Sequence, residues 1–232
     1  MRKWLSSLLA ASALFFAASA IHAQPSLKMM IPANPGGGWD QTGRNLATAM
    51  QSVKLVSSVQ FDNKGGAGGT IGLAQFINSA KGDPNAIMIG GMVMVGAIHL
   101  EGSPVNLSMV TPLARLTGEY EVLVVPASSE IKSLADIVGK LKADPGSVSW
   151  GGGSAGGTDH ILAAMIAKAA GVDGSKVNYV PFSGGGEALA AILGGHVTVG
   201  VSGLGEWLGQ IQSGELRAIA ISSPERISGY AE

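Results

Sequence analysis

The placement of glycine restricts the fold of this chain more than any other feature. There are 35 glycines among 232 residues, and 15 of them gather in four places, each between an extended run and a helical one. In the first, residues 28–32 lead through Pro35, Gly36, Gly37 and Gly38 into a helical pattern over 39–51, where Leu46 and Met50 share a face. In the second, residues 58–61 lead through the glycine-rich loop 65–69 into 70–80. The third runs from 147–150 through 151–157 into 158–170. Ile161, Leu162, Met165, Ile166 and Ala169 there have amphipathic spacing, and Thr158 or Asp159 is placed to cap the helix. The fourth joins 176–182, through Ser183 and the three glycines after it, to 187–193. A strand, glycine loop and helix repeated four times predict an α/β fold with mainly parallel sheets flanked by helices.

Further elements divide these units into two pairs. Residues 87–90 read as a buried strand, followed by a looser stretch and the segment 104–112 between two prolines. Residues 121–125 form a strand ending at Pro126, a helix follows over 133–143, and 216–221 form another strand. The strands at 121–125 and 216–221 are expected to cross between two lobes. Lobe one would hold residues 24–123 and 217–232, and lobe two residues 124–216.

At the N-terminus, Arg2 and Lys3 precede an apolar run from Leu8 to Ala20. Small residues then offer cleavage after Ala20 or Ala23, the pattern of a secretory signal peptide over residues 1–23. The apolar run is shorter than the ~20 residues a membrane span needs. Without Arg2 and Lys3 the 15 basic residues become 13 against 16 acidic. Such a balance argues against a nucleic-acid partner, which needs clustered Lys and Arg. It also means that an anionic ligand must be drawn by local dipoles. With no cysteine in the chain, disulfides, thiolate metal sites and a cysteine nucleophile are excluded. His99 with Glu101 is too sparse for a metal site, and no metal is expected.

The third glycine loop admits three chemical readings. Gly151, Gly153 and Gly156 satisfy the dinucleotide-binding pattern. However, the acidic residue that should close the next strand is missing, since Asp173 precedes that strand, and no cofactor is expected. Gly152, Ser154 and Gly156 satisfy the nucleophile-elbow pattern of serine hydrolases, with Asp173 or Glu187 and then His196 in an allowed order. Five of the seven residues in 151–157 are glycine, so both matches arise readily by accident. The third reading needs no side chain. A glycine loop entering a helix presents backbone N–H groups without intrahelical partners, and the helix dipole favours an anion there. Several such termini around one cleft would make a carboxylate trap without arginine.

The ordered set of motifs resembles the Bug-type receptors of tripartite tricarboxylate transporters. The set comprises residues 31–40 (Ile-Pro-Ala-Asn-Pro-Gly-Gly-Gly-Trp-Asp), the loop 65–69, the loop ending Thr158-Asp159-His160, residues 179–184, Gly194 to Val197, and 216–220. Residues 36–44 look most like the tricarboxylate-binding branch. The resemblance implies a two-lobed periplasmic binding protein of the type II kind. Such a receptor is a monomer that is not an enzyme and hands a small organic carboxylate, citrate-like in this branch, to membrane permease subunits. Family members normally continue beyond the point matching Ser223 to Arg226, with elements that finish lobe one.

The resemblance places ligand contacts, partly through water, in the Pro35 to Asp40 loop (Pro35, Gly36, Gly37, Gly38 and Trp39) and in the Gly152 to His160 loop (Gly153, Ser154, Ala155, Gly156, Thr158 and His160). The residues themselves add Gly68 and Gly69 at a glycine-opened helix and Ser183 as a hydroxyl donor. Trp39 would wall the cleft, and His160 would donate to the ligand or to a loop carbonyl. Asp40 reads as a helix cap, and Arg44, four residues on, as its surface partner. Expressed with its leader, the protein should be recovered from the periplasm with its first 20 or 23 residues removed (Ala20 or Ala23 last). Intact-mass measurement of the periplasmic fraction checks this, and an uncut membrane-bound product would contradict it.

Overall fold

The computed structural model describes residues 24–228, so the expected signal peptide lies outside the described residues. Within them the expected α/β architecture is present as two sheets. The first has β1 (Ser26–Ile31) at its centre, with β2 (Ser58–Asn63) on one side and β3 (Ala86–Met88) on the other. Both neighbours run parallel to β1, so each connection must cross the sheet. The helices α1 (Gly38–Ser52) and α2 (Thr70–Ser79) make those crossings. Met29 and Ile31 alternate inward from β1 against Ala47 of α1, closing a small core.

The second sheet has the order β6-β5-β7-β4-β8. Its strands are β4 (Glu121–Pro126), β5 (Ser149–Gly152), β6 (Asn178–Pro181), β7 (Val199–Gly203) and β8 (Leu216–Ile221). β5 is parallel to β6 and β7, whereas β4 runs antiparallel to β7 and β8. The unbroken apolar run of β4 follows from burial on both faces. Leu123 and Val125 enter one core with Ile137, Leu141 and Trp150, while Val122 and Val124 enter the other with Ile192 and Trp207. α4 (Leu134–Ala143) and α5 (Thr158–Ala169) cover the first face, and α6 (Gly185–Leu193) and α7 (Leu204–Gln212) the second. α4 begins with a capping box between Ser133 and Asp136.

Two expectations need correction. Residues 216–221 do not return the chain to lobe one. β8 pairs antiparallel with β4 in the second sheet, from Val122 opposite Ile221 to Pro126 opposite Leu216. Arg217 reinforces this by donating to the carbonyls of Ala127, Ser129 and Ile131 at 2.7, 3.1 and 3.1 Å. The looser stretch after β3 is in fact a helix, α3 (Met92–Glu101). Its apolar sequence obscured any amphipathic period, because it is wedged between the lobes. Met94 and Ala97 are fully buried, and a Cβ on Gly96 would collide with the Gly156 carbonyl of the third glycine loop.

Replacing Arg217 with methionine should lower unfolding stability by about 2 kcal/mol, because three carbonyls lose a charged donor. Lysine should recover less than half of that, since an ammonium group cannot span all three. Urea denaturation measures both, and a loss under about 0.5 kcal/mol would show that apolar packing alone holds the hook.

Candidate functional site

Five helices begin at one cleft between the two sheets. The N-cap residues are Gly37 for α1, Gly69 for α2, Gly157 for α5, Gly184 for α6 and Gly203 for α7, and none of the five carries a side-chain cap. Outside this group, α3 also starts at an uncapped glycine, Gly91, whereas α4 is closed by Ser133. Glycine at these caps leaves the first-turn amides without side-chain partners, although the Leu204 amide of α7 donates to the Tyr120 carbonyl at 3.0 Å, and the helix dipoles add positive potential at the cleft.

The cleft encloses about 660 Å³, part of it open to solvent. Of the residues expected to contact ligand, Gly37, Gly38, Trp39, Gly68, Gly69, Gly153, Ser154, Thr158 and Ser183 line it. Trp39 is fixed by the backbone behind it, since a Cβ on Gly69 would stand 2.7 Å from its ring and one on Gly91 2.8 Å. Gly69 also needs a positive φ of 91°, which glycine adopts without strain.

The other expected contacts, Pro35, Gly36, Ala155, Gly156 and His160, are not among the residues that line the cleft. Pro35 and Gly36 are exposed, and the Gly36 amide donates to Asp40 Oδ2 at 3.0 Å. Gly156 packs against Leu100 of α3. Among the described residues, His160 does not line the cleft and donates to no carbonyl. Its Nδ1 accepts the Gly156 amide at 3.1 Å, and its ring stacks on Tyr179 with centroids 4.4 Å apart. Tyr179 in turn donates to the Gly153 carbonyl at 2.7 Å. Thus His160 and Tyr179 shape the third loop from behind.

Asp40 and Arg44 pair as read, at 2.9 Å, and Asp40 also accepts from Asn63 at 3.0 Å. Burial opposes the charge on Asp40, but Arg44, the Gly36 amide and Asn63 outweigh it and hold the carboxyl below its ordinary range. Arg44 lies over the Phe61 ring, 4.8 Å from its centroid.

The main surprise is acidic. Glu119, Glu121, Asp159 and Glu206 all line the cleft, with no lysine or arginine beside them. Asp159 accepts the Gly153 amide at 2.6 Å and the Thr158 hydroxyl at 3.0 Å, yet burial still pushes its pKa up. Burial, and then the charge of Asp159, raise Glu121 to about 8. Burial lifts Glu206 to about 7 although the Ser202 hydroxyl and the Gly38 amide oppose it, and Glu119 is raised by burial and by Asp159. Near neutral pH this wall is therefore partly protonated. Ser154 shows no hydrolytic partners. Asp173 accepts the Ser175 amide and Glu187 the Ser183 amide, and among the described residues no hydrogen bond joins Ser154 to a histidine or a carboxylate.

Residues 43–231 match the family model described as the tripartite tricarboxylate transporter family receptor. Protein BugT of Bordetella pertussis is 29% identical over 237 aligned residues, covering 97% of this chain and 72% of that protein. A solved structure described as a periplasmic transporter is 28% identical with a TM-score of 0.74, covering 88% of this chain and 68% of its own. The fold is also shared with MatC from Rhodopseudomonas palustris with bound malate, at 21% identity and a TM-score of 0.77, covering 87% of this chain and 68% of that one. The chain belongs to the receptor family of the tripartite tricarboxylate transporters, which are periplasmic solute-binding proteins and not enzymes.

Proposed function

We propose that this protein captures a small organic carboxylate in the cleft between its lobes and hands it to the membrane permease subunits of a tripartite tricarboxylate transporter. The observation that carries this reading is the convergence of five uncapped, glycine-started helices on one cleft. Amides left without side-chain caps at a buried helix start call for an acceptor, and a carboxylate supplies two oxygens. Hydrogen bonds to a charged group contribute ~1.5–3 kcal/mol each, so four or five are enough for the ~8 kcal/mol of micromolar binding, before ordering costs. The malate held by the fold relative MatC is a ligand of this chemistry.

The protein acts as a monomer, exported to the periplasm after loss of its leader at Ala20 or Ala23. Resemblance to the tricarboxylate branch over residues 36–44 points to a citrate-like ligand, whereas the acidic wall works against a third negative charge and favours a dicarboxylate.

Calorimetric titration with malate, adipate and citrate tests the amide-trap mechanism. Gly37→Val should cut affinity at least tenfold, about 1.4 kcal/mol, because its Cβ would stand 3.0 Å from the Gly185 amide across the cleft. Arg44→Gln should matter less, since Arg44 is committed to Asp40 outside the cleft. The reverse ranking in folded protein would show that a charged side chain does the binding.

A further inference from the structure

One of the glycine-walled seats in the cleft already holds a carboxylate, and it belongs to the protein. Glu206, in the first turn of α7, reaches from the second sheet's helices to the start of α1. A Cβ on Gly38 would stand 2.9 Å from Glu206 Oε1, one on Gly37 3.6 Å from Oε2, and one on Gly185 would collide with Oε2 outright. Three glycines on two helix starts thus leave a slot that any side chain would close. The Ser202 hydroxyl donates to Oε1 at 2.9 Å, and Trp207 Nε1 donates to the Gly185 carbonyl at 3.2 Å, fixing the slot's far wall.

We propose that Glu206 is the specificity determinant of the cleft: it occupies the anion seat between the starts of α1 and α6, a ligand carboxylate has to compete for that seat, and binding weakens with each further negative charge the ligand brings. This rests on the carboxylate-receptor reading above. The other titratable groups facing the seat are Glu119 before β4, Glu121 on β4 and Asp159 on α5, all acidic. Asp40 on α1 is turned to Gly36 and Arg44. An arriving anion therefore meets no fixed cation, and the low-cost response is to take up a proton on the acids. Because burial lifts Glu206 to about 7 and Glu121 to about 8, that uptake falls in the neutral range. An incoming anion favours the protonated forms, so affinity is highest below pH 7 and declines as pH rises through 7 and 8.

The test is calorimetric titration of the full chain with malate and citrate at pH 6 and pH 8, on unmodified protein and on Glu206→Gln, which mimics the protonated acid. Unmodified protein should bind malate about tenfold more weakly at pH 8 than at pH 6, with proton uptake visible in buffers of different ionisation enthalpy. It should bind the more highly charged citrate more weakly still. Glu206→Gln should bind malate about tenfold more tightly than unmodified protein at pH 8 and lose one of the two steps in the decline. The remaining step belongs to Glu121 and lies lower than in unmodified protein, because the Glu206 charge helps to raise it. Weaker binding by Glu206→Gln, with the pH dependence intact, would overturn the proposal. If neither protein binds any carboxylate, the receptor reading fails instead. Hydrogen exchange of ligand-free protein still decides the seat in that case: Glu206→Ala should speed exchange of the Gly38 amide severalfold, and an unchanged rate would refute it.

Discussion

The structure depends on how it treats backbone amides at helix starts. An α-helix begins with N–H groups that have no partner inside it, and proteins usually cover them with a Ser, Thr, Asp or Asn cap. This chain does so at α4 with Ser133, but at its central cleft it places glycine five times. Donors left without such caps are costly when buried. In the loops leading to these helix starts the chain uses its own acids as acceptors: Asp40 takes the Gly36 amide, Asp159 the Gly153 amide and Glu187 the Ser183 amide. These contacts draw the glycine loops into shape, and Glu206 lies at the start of α1. A carboxylate ligand of the proposed kind extends an interaction the protein already makes with itself.

The rest of the fold holds those helix starts in place. The second sheet is buried on both faces, with Trp150 and Trp207 completely enclosed on opposite sides of it. α3 then bridges the lobes through a contact that tolerates no side chain, Gly96 against the Gly156 carbonyl, with Val93 against Gly157 beside it. The same helix packs on Gly68 of the second glycine loop through Ala97, so it holds the second and third loops together, while the first and fourth meet directly at Gly37 and Gly185. Electrostatics is local throughout: the chain carries a net charge of −1 and the cleft wall is acidic, so attraction for an anion must come from dipoles at short range.

Much of this was legible in the sequence, for a physical reason. Glycine runs between a β-period and a 3.6-residue period mark strand–loop–helix units wherever they occur, so the first, second, third and fourth units were found and their loops do meet at one cleft. Asp40 and Arg44, four residues apart on one helix, paired as spacing requires. What could not be read was long-range. β8 joins the second sheet because of β-pairing and the Arg217 hook, neither of which leaves a local pattern. α3 is apolar around most of its circumference and shows no period. Glu119, Glu121 and Glu206 look like ordinary surface acids in the sequence, and only folding brings them beside Asp159. Its place just after the loop makes His160 a candidate donor to the ligand or to a loop carbonyl, yet its ring stacks on Tyr179.

The central claim, that backbone amides at these helix starts bind the ligand, is tested most directly by following amide resonances of ¹⁵N-labelled protein while malate is added. The account predicts that the largest shifts fall on Gly37, Gly38, Ser154 and Gly185, saturating together, while the Arg44 guanidinium resonance stays nearly still. Saturable shifts centred on Arg44, or on lysine-bearing surfaces away from the cleft, with these four amides unmoved, would contradict it.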